Sequence, residues 1–149
     1  MRIVLFSIIT IILAVACQDQ KTSSRKNITL DELLVAHPDS IPLLIQKGNQ
    51  LMDSLDFEQA LGFGAKAFRL DSTNIEARVL YAECLIYKPN RTADDIFRAF
   101  TMYQNLVKKA PKNVEALVGL ANTLVLLNDH EKAFKYINQA LRIDKNCRD

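Results

Sequence analysis

Between Ile41 and Cys147 the apolar residues recur at steps of three, four and seven. One run gives Leu44, Leu51 and Leu55, and the next gives Phe57, Leu61, Phe68 and Leu70. Near the other end come Leu117, Leu120, Leu124 and Leu127, followed by Phe134, Ile137, Leu141 and Ile143. Such steps place residues on single helix faces, and no stretch alternates with period two for long enough to form a sheet. Breaks near Leu55-Asp56 and Asn128-Asp129 divide each block into two helices of about four turns.

The blocks are copies of one another. Shifted by 73 residues, Ile41–Asn74 falls on Val114–Cys147 with nine identities: Leu44/Leu117, Asn49/Asn122, Leu51/Leu124, Asp56/Asp129, Glu58/Glu131, Ala60/Ala133, Ala67/Ala140, Arg69/Arg142 and Asp71/Asp144. Composition alone would give about two. Ile75–Asn113 supplies a third unit. Leu51, Leu85 and Leu124 are spaced 34 and then 39, whereas Ala60, Ala99 and Ala133 are spaced 39 and then 34. The units are therefore 41–74, 75–113 and 114–147, and five extra residues lie between Leu85 and Ala99. Pro89–Ala93 reads as a loop and is the natural place for them. Small residues recur where helix backbones must approach: Gly48, Ala82 and Ala121 on the first helices, Ala60, Ala99 and Ala133 on the second.

A helix pair of about 34 residues with this small-residue pattern resembles the tetratricopeptide repeat. The family's Leu-Gly/Ala pair is complete as Leu120-Ala121 and half present as Gly48 and Ala82. Its central alanine occurs three times and its next small residue twice, as Ala67 and Ala140, with Leu106 in the middle unit. The chain departs from the family in lacking tryptophan; Leu44, Arg78 and Leu117 stand at the opening aromatic position. The proline that ends the second helix survives only as Pro111, with Ser72 and Lys145 elsewhere. The resemblance implies an all-α fold, an α-solenoid of three helix-turn-helix repeats.

Residues 29–40 add half a unit in front. Thr29–Glu32 has the capping-box pattern, followed by an apolar stripe of Leu30, Leu33 and Leu34 that ends at His37-Pro38. This segment reads as a capping half-repeat over the front of the stack. In the middle unit Thr92 is the expected N-cap, with Asp94 and Asp95 at the positive end of the helix.

The first seventeen residues differ from all of this. Arg2 precedes an apolar run, Ile3–Ala16, too short at about 21 Å of helix to cross a bilayer comfortably. Positive charge, apolar run and small residues form a signal-peptide pattern over 1–16. Leu13–Cys17 resembles the lipobox of bacterial lipoproteins, with Ala14 where leucine is usual. The resemblance implies lipidation of Cys17, a membrane anchor and a place in the bacterial cell envelope. Gln18 after the cysteine favours the outer membrane. Ala14-Val-Ala16 also suits ordinary signal cleavage, which would release a secreted protein. Residues 17–28 read as the lipidated cysteine and a flexible tether, with Gln18–Asn27 polar and free of large apolar residues.

With 19 basic and 17 acidic residues the chain carries a net charge of +2 and has no basic stripe, which argues against nucleic acid. His37 and His130 sit far apart at helix boundaries. Neither has a second ligand at metal spacing, so no metal, cofactor or catalytic set is expected, and the chain reads as a non-enzyme. Cys84, in mid-helix, reads as a small buried hydrophobe, and Cys147 as a thiol of unassigned state.

Two surfaces stand out as candidate sites. The family geometry lines a concave groove with first helices, which places Ile45, Asn49, Met52, Val79, Glu83, Ile86, Val118, Asn122 and Val125 along it. Asn49, Glu83 and Asn122 would form a polar row between aliphatic residues, suited to an extended peptide. The lysine or arginine that grips a carboxylate in some members is replaced by Ile45, Val79 and Val118, which disfavours a C-terminal carboxylate ligand. The second surface is an apolar edge on the last helix: Phe134, Ile137 and Leu141. In the other units the equivalent residues should be buried by the following unit, whereas here the sequence stops at Asp149, so a homo-oligomer through this helix is one expectation. The functional expectation is a non-catalytic adaptor or assembly factor that binds a protein or extended peptide. A self-associating spacer and an accessory subunit of an envelope enzyme complex are the alternatives.

Overall fold

The computed structural model describes residues 28–146, and among these all regular structure is helical. The helices are α1 (Leu30–Ala36), α2 (Ile41–Asp53), α3 (Phe57–Leu70), α4 (Ile75–Tyr87), α5 (Ala93–Lys109), α6 (Val114–Leu126) and α7 (His130–Asn146). Residues 1–16, read above as a signal peptide, Cys17, the segment read as a tether up to Asn27, and Cys147 lie outside the described residues.

Each helix packs on the one before and the one after it. In addition α2 touches α4 and α4 touches α6, whereas α3, α5 and α7 do not touch one another. The first helices of the units therefore crowd together while the second helices splay. The stack curves, and α2, α4 and α6 lie on its inner, concave side. The fully buried alanines Ala60, Ala82 and Ala99, and nearly buried Ala121 and Ala133, mark the close approaches.

Local chemistry sets the helix ends. Thr29 and Thr92 each form a complete capping box, with Glu32 and Asp95 respectively. Asn74 and Asn113 cap α4 and α6 through hydrogen bonds to the amides of Ala77 and Ala116. The first and third units turn identically between their helices. The Asp56 amide donates to the Leu51 carbonyl and the Asp129 amide to the Leu124 carbonyl, both at 2.9 Å. These bonds satisfy the last carbonyls of the first helix and require a left-handed residue just before. That residue is Leu55 at φ 63° and Asn128 at φ 61°. Asparagine tolerates this region, but for leucine it costs about 1 kcal/mol. Leu55 is also 72% exposed, so its side chain gains little in return. Leu55→Asn, the third unit's own solution, should raise unfolding free energy by about 0.5–1 kcal/mol in urea titrations.

The five extra residues of the middle unit are used differently from the loop Pro89–Ala93. The non-helical connection is Lys88–Thr92, and Ala93 begins α5. In register Phe57 and His130 correspond to Ile96, so three inserted positions lengthen α5 at its start and two lengthen the turn. The capping box at Thr92 explains this, because it stops the chain in an extended conformation and starts the helix early. Lys88 ties the turn down, reaching Asp95 at 2.7 Å. Desolvation pushes the Asp95 carboxyl up, but Lys88 and the Thr92 amide and hydroxyl outweigh it and hold the pKa at about 2.

Volumes at the two junctions between units are exchanged. Between the first and second, Gly64 of α3 meets Leu80 of α4, with a Cβ position only 3.2 Å from Leu80 Cγ. The same register between the second and third holds Tyr103 of α5 and Gly119 of α6. There a Cβ on Gly119 would lie 2.3 Å from the Tyr103 ring. Tyr103 is fully buried, and its hydroxyl donates to the Val79 carbonyl at 3.5 Å.

Candidate functional site

On the concave side, Ile45 and Asn49 of α2, Glu76, Val79, Leu80 and Glu83 of α4, and Glu115 of α6 surround a cavity of about 490 Å³. A second cavity of about 270 Å³ is lined by Ile86, Tyr87, Arg91, Asn122, Val125 and Leu126. Seven of the nine groove residues expected from sequence fall on these two cavities. Met52 and Val118 line neither. Met52 is half-buried, with its sulfur 3.4 Å from Cys84 Sγ, whereas Val118 is exposed on the same face of α6.

The aliphatic flanks are more closed than the register suggests. Ile45, Val79 and Ile86 are buried, at 6%, 7% and 3% exposure, because first helices of neighbouring units pack directly on one another. They belong to the core and give the groove an apolar floor rather than open walls. Val125, at 48% exposure, is the aliphatic residue a ligand would meet most fully.

The polar row is joined by residues that sequence reasoning missed. Glu76 and Glu115 occupy one repeat register, in the first turns of α4 and α6. There they complement the helix dipole. Curvature brings each toward the preceding first helix, so Glu76 shares the cavity with Asn49, and Glu115 with Glu83. Burial, and then the Glu115 charge, raise the Glu83 carboxyl above the usual glutamate value. No lysine or arginine lines this cavity. Asn122 donates to the Tyr87 hydroxyl at 3.2 Å, and Tyr87 stacks on Phe57 with ring centroids 6.0 Å apart. Arg91, carried on the lengthened turn, adds a positive charge at this far end.

Cys84 is fully buried, and burial followed by the neighbouring Glu83 pushes its thiol up to about 12. It is a packing residue. His37 caps the end of α1 and His130 opens α7, both exposed. Among the described residues no three His, Cys, Asp or Glu side chains gather as metal ligands, and no helix is long and apolar enough to cross a membrane. On the last helix Phe134 and Leu141 are 69% and 51% exposed, and Ile137 is half-buried.

Residues 92–149 match the tetratricopeptide repeat family model. No curated protein matches the chain. Among solved structures it resembles "MamA MSR-1 C2", at 15% identity and a TM-score of 0.60 over 79% of this chain and 65% of that one. A second MamA structure is similar at 20% identity and a TM-score of 0.63, covering 78% and 61% of the two chains. Yeast Tom70 is similar at 21% identity and a TM-score of 0.65, with 76% of this chain matching 24% of Tom70. The chain thus spans less than two thirds of these relatives. At such identities the likeness is one of fold. Together with the helix order and the internal repeat, it makes the described part an all-α solenoid of the tetratricopeptide type.

Proposed function

We propose that this chain is a non-catalytic adaptor of the bacterial cell envelope, anchored through a lipid on Cys17. Its concave face holds an extended segment of a partner protein. The observation that carries the binding reading is the inner groove itself, where first helices of all three units contribute to two neighbouring cavities. An apolar floor of Ile45, Val79 and Ile86 suits aliphatic side chains, and Asn49 and Asn122 suit the backbone of an extended peptide. The carboxylates of Glu76, Glu83 and Glu115 favour a lysine or arginine in that segment, whose charge would relieve the repulsion felt by Glu83. The anchor rests on the residues Leu13–Cys17 and the apolar run before them.

Calorimetric titration with extended peptides of equal length, one lysine-rich and one glutamate-rich, tests the groove. The basic peptide should bind, and binding should weaken about tenfold in Glu83→Gln/Glu115→Gln and again in Asn49→Ala/Asn122→Ala. Because its pKa is raised, Glu83 protonates at a higher pH than an ordinary glutamate. Affinity should therefore begin to fall on acidification before the usual carboxylate range is reached. Equal binding of both peptides, or none, would count against the groove. Mass spectrometry of the protein isolated from membranes decides the anchor separately: the reading requires acylated Cys17 at the mature N-terminus.

A further inference from the structure

We propose that two copies of this chain associate back to back through α7, with the two helices antiparallel about a two-fold axis near Ile137 and Asn138. This is independent of the groove. The outward stripe of α7 reads Glu131, Phe134, Ile137-Asn138, Leu141 and Lys145, at steps of three and four along seventeen helical residues. Phe134 and Leu141 are mostly exposed, although their counterparts in the earlier units, Leu61 and Phe68, and Phe100 and Val107, are half-buried beneath the next helix.

The face of α2 that corresponds to a junction between units is poorly suited to receive α7 head to tail. The equivalent junction face on α2, at the front, carries Gln46, Lys47 and Gln50 where α4 has Leu80, Tyr81 and Cys84. Gln46 and Gln50 are exposed, and Lys47 is paired with Asp31 of α1 at 2.7 Å. That face of α2 is polar and already covered by α1, so it is not open to the apolar stripe of α7, which finds its complement in another α7. Charge then fixes the direction. Antiparallel pairing sets Phe134 across from Leu141 and brings Glu131 of each copy beside Lys145 of the other, at both ends, with exposed Lys135 near Arg142 of the other copy on the flank between them. Parallel pairing would set Glu131 against Glu131 and Lys145 against Lys145. The geometry gives a closed, isologous dimer, not a filament.

A helix of this length, about 25 Å, buries on the order of 400–500 Å² per copy against its twin, the low end for a specific interface. The dissociation constant should accordingly be on the order of ten micromolar. Sedimentation equilibrium of the full chain, in density-matched detergent with a thiol reductant, tests this from about 1 to about 100 µM. A monomer–dimer equilibrium is expected, abolished by Phe134→Asp, whose circular dichroism melt should match the parent because Phe134 is exposed. Glu131→Lys or Lys145→Glu alone should weaken dimerisation about tenfold, since each acts twice by symmetry, and the double swap should restore it to within about twofold. Within one copy these residues stand about 21 Å apart along the helix, beyond the range of salt-screened charges, so recovery must arise between copies. A monomer throughout, open-ended growth with concentration, or a double swap no better than the singles would each overturn the proposal.

Discussion

Gly119→Ala should destabilise the protein by about 2 kcal/mol, although alanine is the better helix former by about 1 kcal/mol. The added Cβ would stand 2.3 Å from the Tyr103 ring. That ring is fully buried between α4 and α6 and tied to the Val79 carbonyl, so it has no room to yield. The first junction shows that the opposite arrangement also packs, with glycine at position 64 on the second helix and leucine at position 80 on the first. Tyr103→Gly alone opens a large cavity and should cost at least about 4 kcal/mol, whereas Gly119→Leu alone overfills the site. The pair Tyr103→Gly/Gly119→Leu recreates the first junction inside the second. It should be more stable than the sum of its parts by at least about 2 kcal/mol in a double-mutant cycle of urea titrations. Additive losses would mean that the two junctions do not share a packing scheme.

Leu80→Ala should cost about 3 kcal/mol and loosen the first unit from the rest. Leu80 is 2% exposed and fills the notch above two glycines, Gly48 and Gly64. Because units in such a stack contact only their neighbours, a lesion at one junction weakens coupling as well as total stability. The thermal transition should broaden or split, with exchange protection lost first in α1–α3. The same geometry predicts a change of sign at Gly48. Its Cβ would fall 2.4 Å from Leu80 Cδ2, so Gly48→Ala should destabilise the parent protein. In the Leu80→Ala background the obstacle is gone, and the same change should stabilise by about 1 kcal/mol through helix propensity. Gly48→Ala acting with one sign in both backgrounds would remove Leu80 as the reason for the glycine.

The helices, their order and most of their ends were legible in the sequence because each rests on local chemistry. Thr29, Thr92, Leu55-Asp56 and Asn128-Asp129 act within a few residues of themselves. The exchange of volume between Gly64–Leu80 and Tyr103–Gly119 was not legible, since each residue looks ordinary until its partner on another helix is known. The site divides along the same line. The geometry implied by the family resemblance, mapped by register, placed Asn49, Glu83 and Asn122 on the inner face. It did not show that packing between first helices would draw Ile45, Val79 and Ile86 into the core, nor that curvature would swing Glu76 and Glu115 toward that row. Arg91 entered through the lengthened turn, whose path depended on where Thr92 started α5, and Tyr87 joined it from the last position of α4.

Site-specific photocrosslinking in the cell that makes this protein tests the central claim most directly. One probe replaces Val118 and another Val125, both exposed on the inner face, and a control probe replaces Phe97, exposed on α5. If the concave face holds a partner's extended segment, both inner probes should capture the same short stretch of one protein, containing lysine or arginine, and Phe97 should not. Capture from Phe97 with none from Val118 and Val125 would contradict the account.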